Sequence, residues 1–156
     1  LEVQKKSVFV TPTIGQLEER AGKYFEVNNP TNMDFALMQI DHGVINTTAT
    51  QKCDCAIIND KDCAFIEFKT NAISVNTDTI KKNYKKALKQ LSTTITIFRN
   101  EMGLIGKNLD ALRKVEAYVS FKKGYPRRTA SEGTYRVKFA AQNRCSLYFE
   151  SKKELK

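Results

Sequence analysis

Apolar positions recur along this chain in two rhythms. Between residues 76 and 103, Ile80, Tyr84, Leu88, Leu91, Ile95 and Phe98 fall at steps of three and four, the period of a helix that buries one face. Asn76, Thr77 or Asp78 can cap its start and Gly103 can end it. Residues 11–27, "TPTIGQLEERAGKYFEV", place Ile14, Leu17, Ala21 and Phe25 at similar spacing behind Thr11 or Thr13 and Pro12, and predict an earlier helix. Between the two lie the short apolar runs "KCDCAII" (52–58) and "CAFIEFKT" (63–70), separated by "NDKD". Strand, turn signal and returning strand predict a β-hairpin.

The rest of the chain is read more coarsely. "NNPTN" (28–32) is a turn, and "DFALMQIDHGVI" (34–45) is a short strand or an irregular segment. A short helix is expected near "NLDALRK" (108–114). "VEAYVSF" (115–121), "TYRVKFA" (134–140) and "CSLYFES" (145–151) are read as strands, the last two joined by the turn "QNR". The basic loop "KKGYPRRTASEG" (122–133) precedes that expected hairpin. Strands interleaved with helices predict an α/β fold, a central mixed β-sheet flanked by helices. No linker or repeat divides the chain, so residues 1–156 are expected to form one domain.

Composition narrows the class. Of 156 residues, 41% are hydrophobic and 28% charged, a globular rather than a disordered balance. No apolar run approaches the roughly 18 residues of a membrane span, so no membrane partner is expected. The first ten residues lack the basic-then-apolar order of a signal peptide. Because the chain starts at Leu1 rather than Met, a trimmed chain or part of a longer protein is expected, and a homodimer is a further expectation. Cys53 and Cys55 are too close for a comfortable mutual disulfide, and with Cys63 and Cys145 they read as buried free thiols. That usage suits a reducing, intracellular compartment, the cytoplasm. Zinc fits poorly, because C-x-C followed by single cysteines and the lone His42 lacks the paired spacing of a structural site. His42, in "DHGV", reads as a turn residue.

One stretch resists the apolar pattern. "CAFIEFKTN" (63–71) puts Glu67 and Lys69 into a strand that should still be burying itself. Strand side chains alternate, so Glu67 and Lys69 share one face while Ile66 and Phe68 take the other. Asp54 interrupts the preceding strand and is expected to lie across from Glu67. Two carboxylates with a backbone carbonyl, that of Phe68, and water suit Mg²⁺ or Mn²⁺. A nearby lysine could steady the anionic transition state of phosphodiester hydrolysis. An ion pair on a strand end is the plainer explanation for Glu67 and Lys69 alone. Asp54, the lysine-rich helix that follows and the basic charge shift the balance towards chemistry.

These residues carry a resemblance. "CDCAIINDKDCAFIEFKTN" resembles the D…(D/E)-x-K signature of the PD-(D/E)XK nuclease-like superfamily, with Asp54 at the aspartate, Glu67 at the acidic position and Lys69 at the lysine. The resemblance implies a restriction-endonuclease-like core with a hairpin-borne active site, and a metal-dependent nuclease. It further implies a glutamate on the first helix, which Glu18 or Glu19 fits, Glu19 being the choice. It also implies a glutamine or tyrosine on the helix after E-x-K near the active site, which Gln90 matches.

The net charge of +9, from 26 Lys+Arg against 17 Asp+Glu, fits a polyanionic partner. Lys81, Lys82, Lys85, Lys86 and Lys89 lie opposite the apolar stripe of the long helix, and Lys122, Lys123, Arg127 and Arg128 surround Tyr125. Lys82, Lys86, Lys89, Gln90, Lys122, Lys123, Arg127 and Arg128 are the expected nucleic-acid contacts, with DNA the expected polymer. No base-reading motif accompanies them. The competing expectation is a non-catalytic nucleic-acid-binding or assembly module that keeps the nuclease fold.

Overall fold

In a computed structural model, residues 3–10, 24–40, 51–69, 75–122 and 124–156 are described. Along the chain they form β1 (Val3–Gln4), β2 (Val8–Val10), β3 (Phe25–Asn28), β4 (Phe35–Gln39), β5 (Cys55–Ile58) and β6 (Asp62–Lys69). Helix α1 (Thr77–Leu104), a 3-10 turn (Leu109–Ala111), β7 (Lys114–Phe121), α2 (Thr129–Asn143), β8 (Ser146–Tyr148) and β9 (Lys152–Glu154) follow.

The hairpin predicted from "KCDCAII" and "CAFIEFKT" is the β5–β6 pair, registered from Cys55 opposite Ile66 to Ile58 opposite Cys63. It sits inside a six-stranded sheet of order β1-β4-β5-β6-β7-β8. Pairings on the β5 side are antiparallel, whereas β6–β7 and β7–β8 are parallel. Parallel neighbours need a crossover, and α1 and α2 supply the two crossovers in turn. β6 is central, buried along its length except at Lys69, which explains its near-continuous apolar run.

Alternation then divides the core into two layers. Cys63, Phe65, Ala117, Val119 and Phe121 face the buried side of α1, formed by Ile80, Tyr84, Ala87, Leu91 and Ile95. Ala64, Ile66, Phe68 and Tyr118 face the opposite way, onto Val10, Phe25, Val27 and Leu155. The first three of these come from a second sheet of order β2-β3-β9 and its neighbourhood, so the six-stranded sheet lies between helices and a smaller sheet. The expected α/β class, a mixed sheet flanked by helices, is what is found. Among the described residues no helix is long and apolar enough to cross a membrane.

At the start of α1 the Asn76 side chain accepts from the backbone N–H groups of Asp78 and Thr79, selecting Asn76 among the three possible caps. The helix runs through Gly103 and ends at Leu104, and the positive φ of 71° falls later, at Gly106.

Three expectations are corrected. "TYRVKFA" is not a strand but the middle of α2, so the expected C-terminal hairpin does not exist and β8 pairs with β7 instead. Phe25 and Val27 are alternately buried strand residues of β3, not the end of a helix. Residues 11–23, with the remainder of that expected helix, lie outside the described residues. "CSLYFES" forms only the three-residue β8, and the chain then joins the smaller sheet as β9, beside β3.

Candidate active site

At the carboxyl end of β6 the chain turns two charged side chains towards α1. Glu67 and Lys69 share parity with Cys63 and Phe65, whose side chains pack beneath that helix. Lys69 Nζ donates to Glu67 Oε1 at 2.6 Å and to Gln90 Oε1 at 2.8 Å. Gln90 Nε2 in turn donates to the Lys52 carbonyl at 3.1 Å. Gln90 thus ties β6, α1 and the approach to β5 together.

Asp54 reaches the same place through an irregularity in the sheet. Its N–H donates to the Ile66 carbonyl at 3.2 Å, although Ile66 already faces Cys55 in the register. Two residues thus oppose one, as in a β-bulge, a device that re-aims a side chain. The Asp54 carbonyl accepts from Ile40 N–H at 3.0 Å, and its Oδ2 accepts from Phe68 N–H at 2.7 Å. One residue earlier, Cys53 N–H donates to Thr94 Oγ1 at 2.8 Å, while Thr94 Oγ1 donates to the Gln90 carbonyl at 2.8 Å. Thr94 was not singled out in the sequence, yet it lies one turn after Gln90 and braces the segment that carries Asp54.

The electrostatics are unusual for a strand carboxylate. Glu67 is 2% exposed, and its Oε2 is buried without a hydrogen-bond partner. Burial, and then the neighbouring Asp54 charge, push its carboxyl up to about 8, against the opposing pull of Lys69. Burial and the Asp54 charge favour the protonated form of Glu67, and the Lys69 ammonium favours the charged one. Burial also raises the thiols of Cys53 and Cys55 well above their usual range. All four cysteines are free and buried, as expected.

The donor set suits a hard cation. An anchored Asp54 carboxylate, an orphaned Glu67 oxygen and the Phe68 carbonyl at the strand end would give all-oxygen ligation, the chemistry of Mg²⁺ or Mn²⁺. Among the described residues no three His, Cys, Asp or Glu side chains gather as a ready metal cage. Glu19, the expected further carboxylate, and His42 lie outside the described residues.

The cation clusters divide. Lys81, Lys82, Lys85, Lys86 and Lys89 are all exposed along α1. Lys122 is half-buried after β7, and Lys123 lies outside the described residues. The Arg127 guanidinium grips Glu132 with two hydrogen bonds of 2.8 and 2.7 Å, and Glu132 also accepts from Tyr84 OH at 2.8 Å. Arg128 is half-buried; its N–H donates to Tyr84 OH at 3.0 Å, and one guanidinium nitrogen is buried without a partner. The Arg127 side chain and the Arg128 backbone thus link the start of α2 to Tyr84 of α1, while the Arg127 side chain stays 39% exposed.

Comparison of the chain with protein-family models, with curated proteins and with solved structures gives no match in any of the three.

Proposed function

We propose that this chain is a metal-dependent nuclease that hydrolyses phosphodiester bonds of DNA, built on a restriction-endonuclease-like core of the PD-(D/E)XK kind. The observation that carries this reading is Glu67: a buried carboxyl group with an orphaned oxygen, beside Asp54 and on the same face as Lys69. A carboxylate set into the apolar middle of a sheet is costly unless something compensates it, and a fold needing only an ion pair gains little from a second acid beside it. The core assignment draws on β5 and β6 as an antiparallel pair, followed by α1 and the parallel β7.

A divalent cation held by Asp54, Glu67 and the Phe68 carbonyl would supply Lewis-acid polarisation of the phosphoryl group and an acidified water. Lys69 contributes positive charge. Two of its three donors go to Glu67 and Gln90, which aims the third at charge developing on the phosphate. Gln90 and Thr94 are positioning residues, fixing Lys69 and the Asp54 segment.

A second reading, a non-catalytic nucleic-acid-binding module, draws on the same α1 lysines and on the closed Lys69–Glu67 pair. Incubating linear, circular and branched DNA with Mg²⁺ or Mn²⁺ separates the two. Cleavage by the wild type and none by Glu67→Gln or Asp54→Asn is expected. Binding without cleavage by the wild type would hand the case to the second reading.

A further inference from the structure

β7 ends beside the candidate site: Phe121, its last residue, is in register with Lys69, one strand spacing of roughly 4.8 Å away. Open α/β sheets hold ligands beyond the carboxyl ends of their parallel strands, and there the chain leaves a recess of about 460 Å³. Three rings that line it lie in near-parallel planes. Phe121 stacks on Tyr125 with 4.8 Å between centroids and 5° between planes, and on Phe149 with 6.4 Å and 15°. Tyr24, half-buried just ahead of β3, lines the recess from the side of the smaller sheet. Gly124 turns the loop after β7 with a φ of 84°, and nothing lies within 4 Å of where a side chain would begin. Of the cations that line the recess, Arg127 is held by Glu132 and Lys152 lies 3.8 Å from Glu26, whereas Lys122 pairs with no carboxylate among the described residues. Packed interiors keep few voids larger than a water molecule. Aromatic walls left apart at this size, with an uncommitted ammonium group beside them, suit a flat ligand that carries an anion. A nucleobase with its phosphate has that chemistry, the base for the rings and the phosphate for the cation.

We propose that this recess binds one nucleotide, its base among Tyr24, Phe121 and Tyr125 and its phosphate at Lys122. During cleavage it seats the nucleotide next to the phosphate at Glu67 and Lys69. A base held there is out of its stack, so the recess responds to the presence of a base and not to backbone charge alone. The choice of a nucleotide among flat anions rests on the nuclease reading of the neighbouring site, whereas binding of the free nucleotide is measured apart from it.

The test is calorimetric titration in EDTA, which keeps divalent cations off the carboxylates. The probes are the deoxynucleoside 5′-monophosphates, the matching nucleosides and deoxyribose 5-phosphate, against the wild type, Tyr24→Leu, Lys122→Ala and Glu67→Gln. The wild type is expected to bind at least one monophosphate more tightly than its nucleoside or the sugar phosphate. Tyr24→Leu should lower that affinity about five- to a hundredfold, the worth of one base–aromatic stack. Lys122→Ala should weaken the monophosphate and spare the nucleoside, and Glu67→Gln should change neither. No binding of any monophosphate, sugar phosphate bound as tightly as monophosphate, or full affinity in both Tyr24→Leu and Lys122→Ala overturns the inference. A second arm follows cleavage of single-stranded DNA in Mg²⁺ or Mn²⁺, where Tyr24→Leu should raise KM with kcat retained and the free monophosphate should compete. Cleavage indifferent to both overturns the place of the recess in the substrate path. Monophosphate binding without any cleavage by the wild type keeps the nucleotide site and overturns the nuclease reading.

Discussion

Glu67→Gln isolates a buried carboxyl group with an unpartnered oxygen. The substitution keeps shape and hydrogen-bonding capacity while removing the ionisable proton. Glu67 is raised from 4.5 to about 8, first by burial and then by the charge of Asp54. A carboxyl group raised in the folded state binds its proton more tightly there than in the unfolded chain, so its contribution to stability is full below about pH 4.5 and is lost as pH rises through about 8. Between pH 5 and pH 7 the unfolded chain is largely ionised at this position and the folded chain is not, a difference of about two units. At about 1.4 kcal/mol per unit this term costs the metal-free protein about 3 kcal/mol over that interval. The assay is urea unfolding in EDTA, wild type beside Glu67→Gln, at half-unit steps from pH 5 to pH 8. The difference between the curves should grow steadily in favour of the glutamine variant. Curves that run parallel would show that Glu67 titrates normally, and the account of a proton held against Asp54 would be wrong.

Three further outcomes follow from the same geometry. Cation binding must displace the Glu67 proton, so apparent Mg²⁺ affinity, read by calorimetry in buffers of differing ionisation enthalpy, should rise with pH below about 8 with proton release; pH-independent affinity refutes it. Mg²⁺ or Mn²⁺ should restore cleavage after EDTA and Ca²⁺ should support binding only, while Lys69→Ala should lower the cleavage rate about a hundredfold or more with duplex affinity retained. Full activity in excess EDTA, or wild-type rates from Lys69→Ala, contradicts the mechanism. Arg127→Ala leaves Glu132 buried without its bidentate partner, and should destabilise by about 2 kcal/mol or more in urea, with Glu132→Gln recovering part of the loss; an unchanged midpoint argues against that network.

How much of this was legible in the chain depends on which residues carry each element's burial. α1 is stabilised by Ile80, Tyr84, Leu91 and Ile95, so its apolar spacing is its signature and an asparagine cap announces its start. α2 buries Glu132, Phe139 and Asn143. The spacing is helical, but two of the three residues are polar: Glu132 is held by Arg127 and Tyr84, and Asn143 by Ser92 and the Phe139 carbonyl. Reading apolar residues alone leaves Tyr135, Val137 and Phe139, which alternate like a strand, although Val137 is 72% exposed. The alternation is an accident of a helix whose buried stripe is partly charged.

The candidate site was easier to find for the converse reason. A charge inside an otherwise apolar strand conflicts with the local pattern, and such conflicts concentrate where a fold serves something other than stability. Glu67 and Lys69 stand out against Phe65, Ile66 and Phe68, and strand parity alone puts the two charges on one face. Two features were hidden. The bulge at Asp54 depends on where Ile66 receives its hydrogen bonds, and no spacing rule encodes that. The pairing of Arg127 depends on a glutamate five residues later that looks solvated in sequence. "KKGYPRR" therefore reads as one basic patch, whereas one of its cations, Arg127, is paired with Glu132. The α1 lysines have no such alternative, because residues opposite a buried helical stripe must face solvent, and it is on them that the electrostatic case for a polyanionic substrate rests.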